Sequence, residues 1–104
     1  MKVIESVDEF NKLIASDKLC VIDLFATWCG PCRMLAPVLE EVATKTEGKC
    51  VVAKVDVDDL EDVAIAYGVN TIPTLLYFKE GKLLEKSVGL RSGEQILATI
   101  EKNI

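Results

Sequence analysis

A nearly uninterrupted apolar run, Leu19 to Ala26, leads through Trp28-Cys29-Gly30-Pro31-Cys32 into a helix-like run from Met34 to Lys45. The first run reads as a buried strand with one charged residue, Asp23, and the second as an amphipathic helix. The join between them constrains the chain most. Residues three apart on a helix share a face, so both thiols can meet within its first turn. Cys29 falls at or near the cap, where unpaired backbone N–H groups and the positive end of the helix dipole favour a thiolate. A thiolate attacks disulfides, and the spacing lets Cys32 resolve the resulting mixed disulfide by bonding to Cys29. The bland alternative for the same residues is a structural disulfide or a pair of inert thiols.

The rest of the chain alternates in the same way. Val3-Ile4 suits a short first strand. Ser6-Val7-Asp8-Glu9 has the form of a capping box, followed by Val7, Phe10, Leu13 and Ile14 on one helical face. Leu35, Val38, Leu39 and Val42 mark the second helix, which Pro37 should kink near its start by removing a backbone donor. Cys50 to Val57 is a second β-rich run. Leu60, Val63, Ala64 and Tyr67 form a short helix with Gly68 as its C-cap. Thr74 to Phe78 is a strand, Glu80-Gly81-Lys82 a turn, and Leu83 to Val88 its hairpin partner. Ser92 and Gln95 open a last helix with Ile96, Leu97 and Ile100 inward. The order is βαβαβαββα. Strands alternating with helices imply parallel crossovers, and the late hairpin adds an antiparallel edge, so the class is α/β with a mixed sheet.

Length and charge exclude several functions. The 104 residues, 1–104, are expected to form one domain. A net charge of −5 repels phosphate backbones, so neither nucleic acid nor an anionic membrane is an expected partner. No apolar run approaches the roughly 20 residues of a membrane span, and the first residues do not read as a signal peptide. A reducing cytoplasm is the expected compartment. The chain has no histidine, which removes Ser-His-Asp and Cys-His catalysis and His-containing zinc sites. Cys20 and Cys50 lie outside the paired spacing of an all-cysteine zinc site, so no metal is expected. Each borders a β-branched run and reads as a small buried hydrophobe.

Beyond the cysteine pair, an ordered set of motifs extends over essentially the whole chain: Asp23 in its strand, Ala26-Thr27-Trp28-Cys29-Gly30-Pro31-Cys32, Ala36-Pro37, Lys54-Val55-Asp56, Gly68-Val69, Ile72-Pro73-Thr74 and Val88-Gly89. In these the chain resembles the thioredoxin family. The resemblance implies the thioredoxin fold, a central mixed five-stranded sheet flanked by four helices, with the cysteines at the sheet's carboxyl edge. It implies a general protein-disulfide reductase that binds no cofactor and is recharged by an NADPH-dependent thioredoxin reductase. Clients would be proteins such as ribonucleotide reductase, peroxiredoxin or methionine sulfoxide reductase, met by a monomer. A function of another class would use the same groove as a binding module with thiol turnover incidental. Unchanged biological activity after Cys29→Ser and Cys32→Ser together would identify it.

The resemblance also assigns residues. Cys29 is the exposed nucleophile and Cys32 the more buried resolving thiol. Gly30 and Pro31 tune the pair towards reduction of clients. Asp23, a carboxyl among apolar residues, should have a raised pKa and can serve as a base; by resemblance it lies beneath Cys32 and takes that thiol's proton through water. Its plainer role is a salt bridge to Lys54 in the neighbouring strand. Only about 5–6% of X–Pro bonds are cis, yet the family places a cis proline opposite the cysteines, which would be Pro73. The Ile72 backbone would then pair with an extended client segment, and Trp28, Val57, Thr71, Ile72, Val88 and Gly89 would line an apolar groove. Arg33 stands where Lys is commoner in the family, preserving charge.

Overall fold

The computed structural model describes residues 1–104. Nine elements follow in the expected order: β1 (Lys2–Val3), α1 (Val7–Ile14), β2 (Leu19–Phe25), α2 (Gly30–Lys45), β3 (Cys50–Asp56), α3 (Glu61–Ala66), β4 (Thr74–Lys79), β5 (Lys82–Val88) and α4 (Gly93–Asn103). The strands form one sheet in the order β1-β3-β2-β4-β5. β1, β3 and β2 run parallel, β4 is antiparallel to β2, and β5 is antiparallel to β4. This is the five-stranded mixed sheet with four helices that the resemblance implied.

Alternation along β2 divides the core into two layers, because successive strand side chains point to opposite faces. Cys20, Ile22 and Leu24 pack with Phe10 and Ile14 of α1 and Val63 and Ala64 of α3. Leu19 and Val21 pack with Leu35, Leu39 and Val42 of α2 and Ile96 and Ile100 of α4. Asp23, in phase with Val21, faces the second layer. On the first face the rings of Phe10, Tyr67 and Phe78 meet at centroid distances of 5.1 to 5.8 Å in tilted and edge-on contacts, an arrangement favoured by the ring quadrupoles.

Several boundaries move for local reasons. The first strand ends at Val3, although the Ile4 N–H still donates to Lys54 O at 2.8 Å. β3 stops at Asp56, and the Val57 N–H turns to Phe25 O at 2.9 Å. α2 starts at Gly30 rather than at Met34, because Cys29 caps it and Pro31, in its first turn, removes a donor that would lack a partner there anyway. Pro37 does not end α2, which runs through it to Lys45. Lys82 belongs to β5, opposite Lys79, so the hairpin turns on Glu80 and Gly81 alone. Both have positive φ, 54° and 81°, as a two-residue loop matched to the strand twist requires.

The two capping boxes differ. At α4 both arms close: the Gln95 N–H donates to Ser92 Oγ at 3.1 Å and the Ser92 N–H to Gln95 Oε1 at 2.9 Å. At α1 the Glu9 N–H donates to Ser6 Oγ, but the Glu9 carboxylate accepts from the Glu5 N–H and pairs with Lys2 at 2.9 Å. Lys2, delivered by β1, draws the return arm one residue upstream. A side-chain cap is worth about 1 kcal/mol, so Ser92→Ala should lower the unfolding free energy by roughly that amount. Urea denaturation checks it: the midpoint falls while the slope stays unchanged, since the surface exposed on unfolding is the same.

Candidate active site

The cysteines sit where β2 ends and α2 begins. Cys29 is the N-cap of α2, with extended backbone at φ −87° and ψ 114°. Its Sγ accepts the Cys32 N–H at 3.2 Å, so one of the donors left unpaired at the helix start points at this sulfur. A disulfide joins Cys29 to Cys32 across a Cα separation of 5.3 Å. In the reduced state the same N–H and the helix dipole favour a thiolate at Cys29. Cys32 lies on the sheet-facing stripe of α2 with Leu35, Leu39 and Val42. The expected contrast in exposure is small: Cys29 is 5% and Cys32 3% accessible. Cys29 is therefore buried rather than exposed, packed with Ala26 and Cys32 under Phe25, Val57 and Ile72, while Gly30 and Pro31 are exposed beside it.

Four chain segments meet here. Ala26, Cys29 and Cys32 pack together with Phe25, Val57 and Ile72 against them. The Ile72–Pro73 peptide is cis, Pro73 is buried, and Ile72 O lies 3.9 Å from Cys29 Sγ. Gly89 donates its N–H to Pro73 O at 2.8 Å, and Val88 is paired with Thr74, which brings the end of β5 alongside this loop. Thr71 is exposed, and its carbonyl accepts from Thr74 Oγ1 at 2.6 Å. Trp28 is 67% accessible.

Two contacts at the site were not foreseen. The Trp28 indole N–H donates to Asp58 Oδ2 at 2.9 Å. The signal available was that an indole N–H seeks an acceptor; which acidic residue would supply it was not readable. Arg33 donates through Nε and Nη2 to Thr27 O at 3.3 and 3.0 Å, pinning the approach to Cys29. A cavity of about 110 Å³ opens among Phe25, Ala26, Thr27, Cys32, Arg33, Ala36 and Lys54. Small-molecule sites run to roughly 300–1,000 Å³, so this cavity, which reaches Cys32 but not Cys29, is too small to be a ligand pocket.

Asp23 is fully buried, and neither carboxylate oxygen has a hydrogen-bond partner. It lies level with Lys54 on β3 and Leu75 on β4. The salt bridge to Lys54 does not form: Lys54 Nζ sits 4.2 Å above the Phe25 ring, and the ion pairs of the chain are Lys2–Glu9, Lys45–Glu41 and Lys102–Glu85. The aromatic face attracts the ammonium and draws it aside. Burial pushes the Asp23 carboxyl up to about 6, with Lys54 pulling more weakly downward from a distance. Cys20 and Cys50 are buried strand residues in opposite layers. Their thiols donate to Leu13 O and Thr46 Oγ1, and burial raises the pKa of both.

Comparison with known proteins agrees with this geometry. The thioredoxin family model matches residues 2–102. Staphylococcus aureus thioredoxin is 40% identical over the full length of both chains. Bovine mitochondrial thioredoxin is 43% identical over 90% of this chain but 57% of its own length, so the chain spans just over half of that relative. The structure of Fasciola hepatica thioredoxin superimposes with a TM-score of 0.92 at 36% identity, covering all of both chains.

The orphaned carboxyl makes stability depend on pH. An unfolded Asp titrates near 3.9, and the folded group near 6, so between these values the folded state holds the extra proton. Stability is highest below the unfolded pKa, falls as pH rises through about 4 to 6, and levels off above. Replacing Asp23 by Asn should remove this loss, with a gain at pH 8 of up to roughly 3 kcal/mol that shrinks towards zero below pH of about 4. Urea unfolding of both proteins across pH checks it. Equal or lower stability of Asp23→Asn at pH 8 contradicts the desolvation argument.

Proposed function

The chain belongs to the thioredoxin family, a family of thiol-disulfide oxidoreductases, and on that premise we propose that it is a general protein-disulfide reductase. The observation that carries the reading is the Cys29 sulfur, seated on the α2 N-terminus, bonded to Cys32 and facing Ile72 O. In the dithiol form, the Cys29 thiolate attacks one sulfur of a client disulfide. A Cys29–client mixed disulfide forms and the other client sulfur leaves as a thiolate. Cys32 then loses its proton and attacks Cys29 Sγ, the mixed disulfide breaks, and the second client thiolate departs. Two electrons pass to the client, and the protein is left with the Cys29–Cys32 disulfide. An NADPH-dependent thioredoxin reductase restores the dithiol.

Asp23 is the base for Cys32. It lies in the layer of the sheet that α2 covers with Cys32, Leu35 and Leu39, and a carboxyl at about 6 is better matched to neutral pH than an ordinary one. The cavity beside Cys32 and Lys54 is large enough for a relaying water. Lys54 keeps the carboxyl from rising further, and Gly30-Pro31 sets the approach of the two sulfurs. The client lies as an extended segment against the Ile72 backbone, with Trp28, Val57, Thr71, Pro73, Val88 and Gly89 around it. The Ile72 backbone beside Cys29 favours protein disulfides over small molecules. Ribonucleotide reductase, peroxiredoxin and methionine sulfoxide reductase are clients of the fitting chemistry, met by a monomer in a reducing compartment such as the cytoplasm. No helix is long and apolar enough to cross a membrane.

NADPH consumption in the presence of thioredoxin reductase and insulin tests the activity directly, and no turnover above the reductase alone refutes it. Cys32→Ser should trap client proteins as mixed disulfides, because attack survives while resolution is lost; Cys29→Ser should trap none. Non-reducing electrophoresis of each variant with oxidised insulin reads the adduct. Trapping by Cys29→Ser instead would reverse the roles, and full biological activity of the double serine variant would favour a binding module.

A further inference from the structure

We propose that Lys86 is a positioning residue for clients, holding from β5 the entrance of the loop that presents the Ile72 backbone beside Cys29. The inference rests on the client-pairing role given to Ile72 above. α3 ends at Ala66 with Tyr67 as its C-cap and Gly68 beyond it at positive φ, and carbonyls past a helix end have no helical donor to accept from. Lys86 Nζ donates to two of them, Tyr67 O at 3.0 Å and Gly68 O at 3.1 Å. The residue just past the same strand holds the loop's exit, where Gly89 donates its N–H to Pro73 O at 2.8 Å. Lys86 and Gly89 are three residues apart, about 10 Å along an extended chain. Both ends of the Gly68–Pro73 segment are therefore fixed to one edge strand and the residue just past it.

Between the two clamps the loop has few ties of its own. Val69 N–H donates to Ala64 O, and Thr74 Oγ1 donates to Thr71 O. Asn70 and Thr71 are exposed, and Ile72 O faces Cys29 Sγ. Lys86 is itself exposed, and its backbone is held opposite Leu76 by the β4–β5 ladder. Removing its ammonium thus leaves the loop entrance on two backbone bonds alone, Gly68 N–H to Ile65 O and Val69 N–H to Ala64 O, with the sheet and the cysteines in place. Only a long cationic side chain reaches and donates to both carbonyls from this position, so Arg can substitute and an apolar chain of the same length cannot.

The test compares wild type, Lys86→Met and Lys86→Arg, each in the reduced form, against two oxidants: insulin, whose chain must dock, and hydroxyethyl disulfide, which needs only Cys29. For Lys86→Met the rate constant with insulin should fall about two- to fivefold, the range of an exposed charge at a helix end. The rate with hydroxyethyl disulfide should stay at the wild-type value, and Lys86→Arg should restore insulin reduction. Amide exchange at Val69 to Ile72 should quicken in Lys86→Met while Leu75 and Leu76 stay protected. An unchanged insulin rate, an equal fall with both oxidants, or unaltered exchange in the loop overturns the proposal. Failure of the wild type itself to reduce insulin refutes the reductase reading instead, and the exchange measurement still decides whether Lys86 holds the loop.

Discussion

β2 is paired with β3 along all seven of its residues and with β4 along five, so its carboxyl end cannot shift without breaking the centre of the sheet. The redox site inherits its position from that constraint. Phe25 is the last paired residue, Ala26 is buried immediately beyond it, and Cys29 already caps α2. α2 is then fixed independently by Leu35, Leu39 and Val42 packed on the same sheet. The four residues joining strand to helix are short enough that both anchors determine where the sulfurs lie. Arg33 tightens the link from the helix side by donating to Thr27 O.

Asp23 opposes the stability that this ladder supplies. A carboxyl in the middle of a central strand, with both oxygens unpartnered, is costly when ionised. Its environment offers no ion pair to offset the cost, because Lys54 is drawn over Phe25 instead. Burial therefore wins over the Lys54 charge, and the carboxyl stays protonated to higher pH than an ordinary Asp. Such a group is a poor contributor to folding once it is ionised.

The surface around the cysteines has no single owner in the chain. Trp28 comes from the β2–α2 link, Val57 and Asp58 from the end of β3, Ile72 and Pro73 from the approach to β4, and Val88 and Gly89 from the end of β5. Each is secured by a long-range bond: Trp28 to Asp58, Val57 to Phe25, Pro73 to Gly89. These segments converge because the carboxyl ends of parallel β2 and β3 lie at the same edge of the sheet as the amino end of antiparallel β4 and the carboxyl end of β5. The result is a site assembled from separate segments around one buried disulfide.

Much of this was legible in the residues. Strand and helix order, both serine caps, the Gly81 turn and the thiol pair at a helix start depend on contacts within about four positions along the chain, which a sequence displays directly. The anomaly of Asp23 was equally plain, since a carboxyl inside an apolar run has no local remedy. The partners of long side chains were not legible. Glu9 reaches Glu5 and Lys2 rather than closing its box, Lys54 chooses an aromatic face over Asp23, Trp28 selects Asp58, and Lys86 reaches back to Tyr67 and Gly68. Each choice lies between several partners within reach of one long side chain. Only the packing of the sheet decides it, because a long flexible side chain bonds whatever the fold sets within its reach.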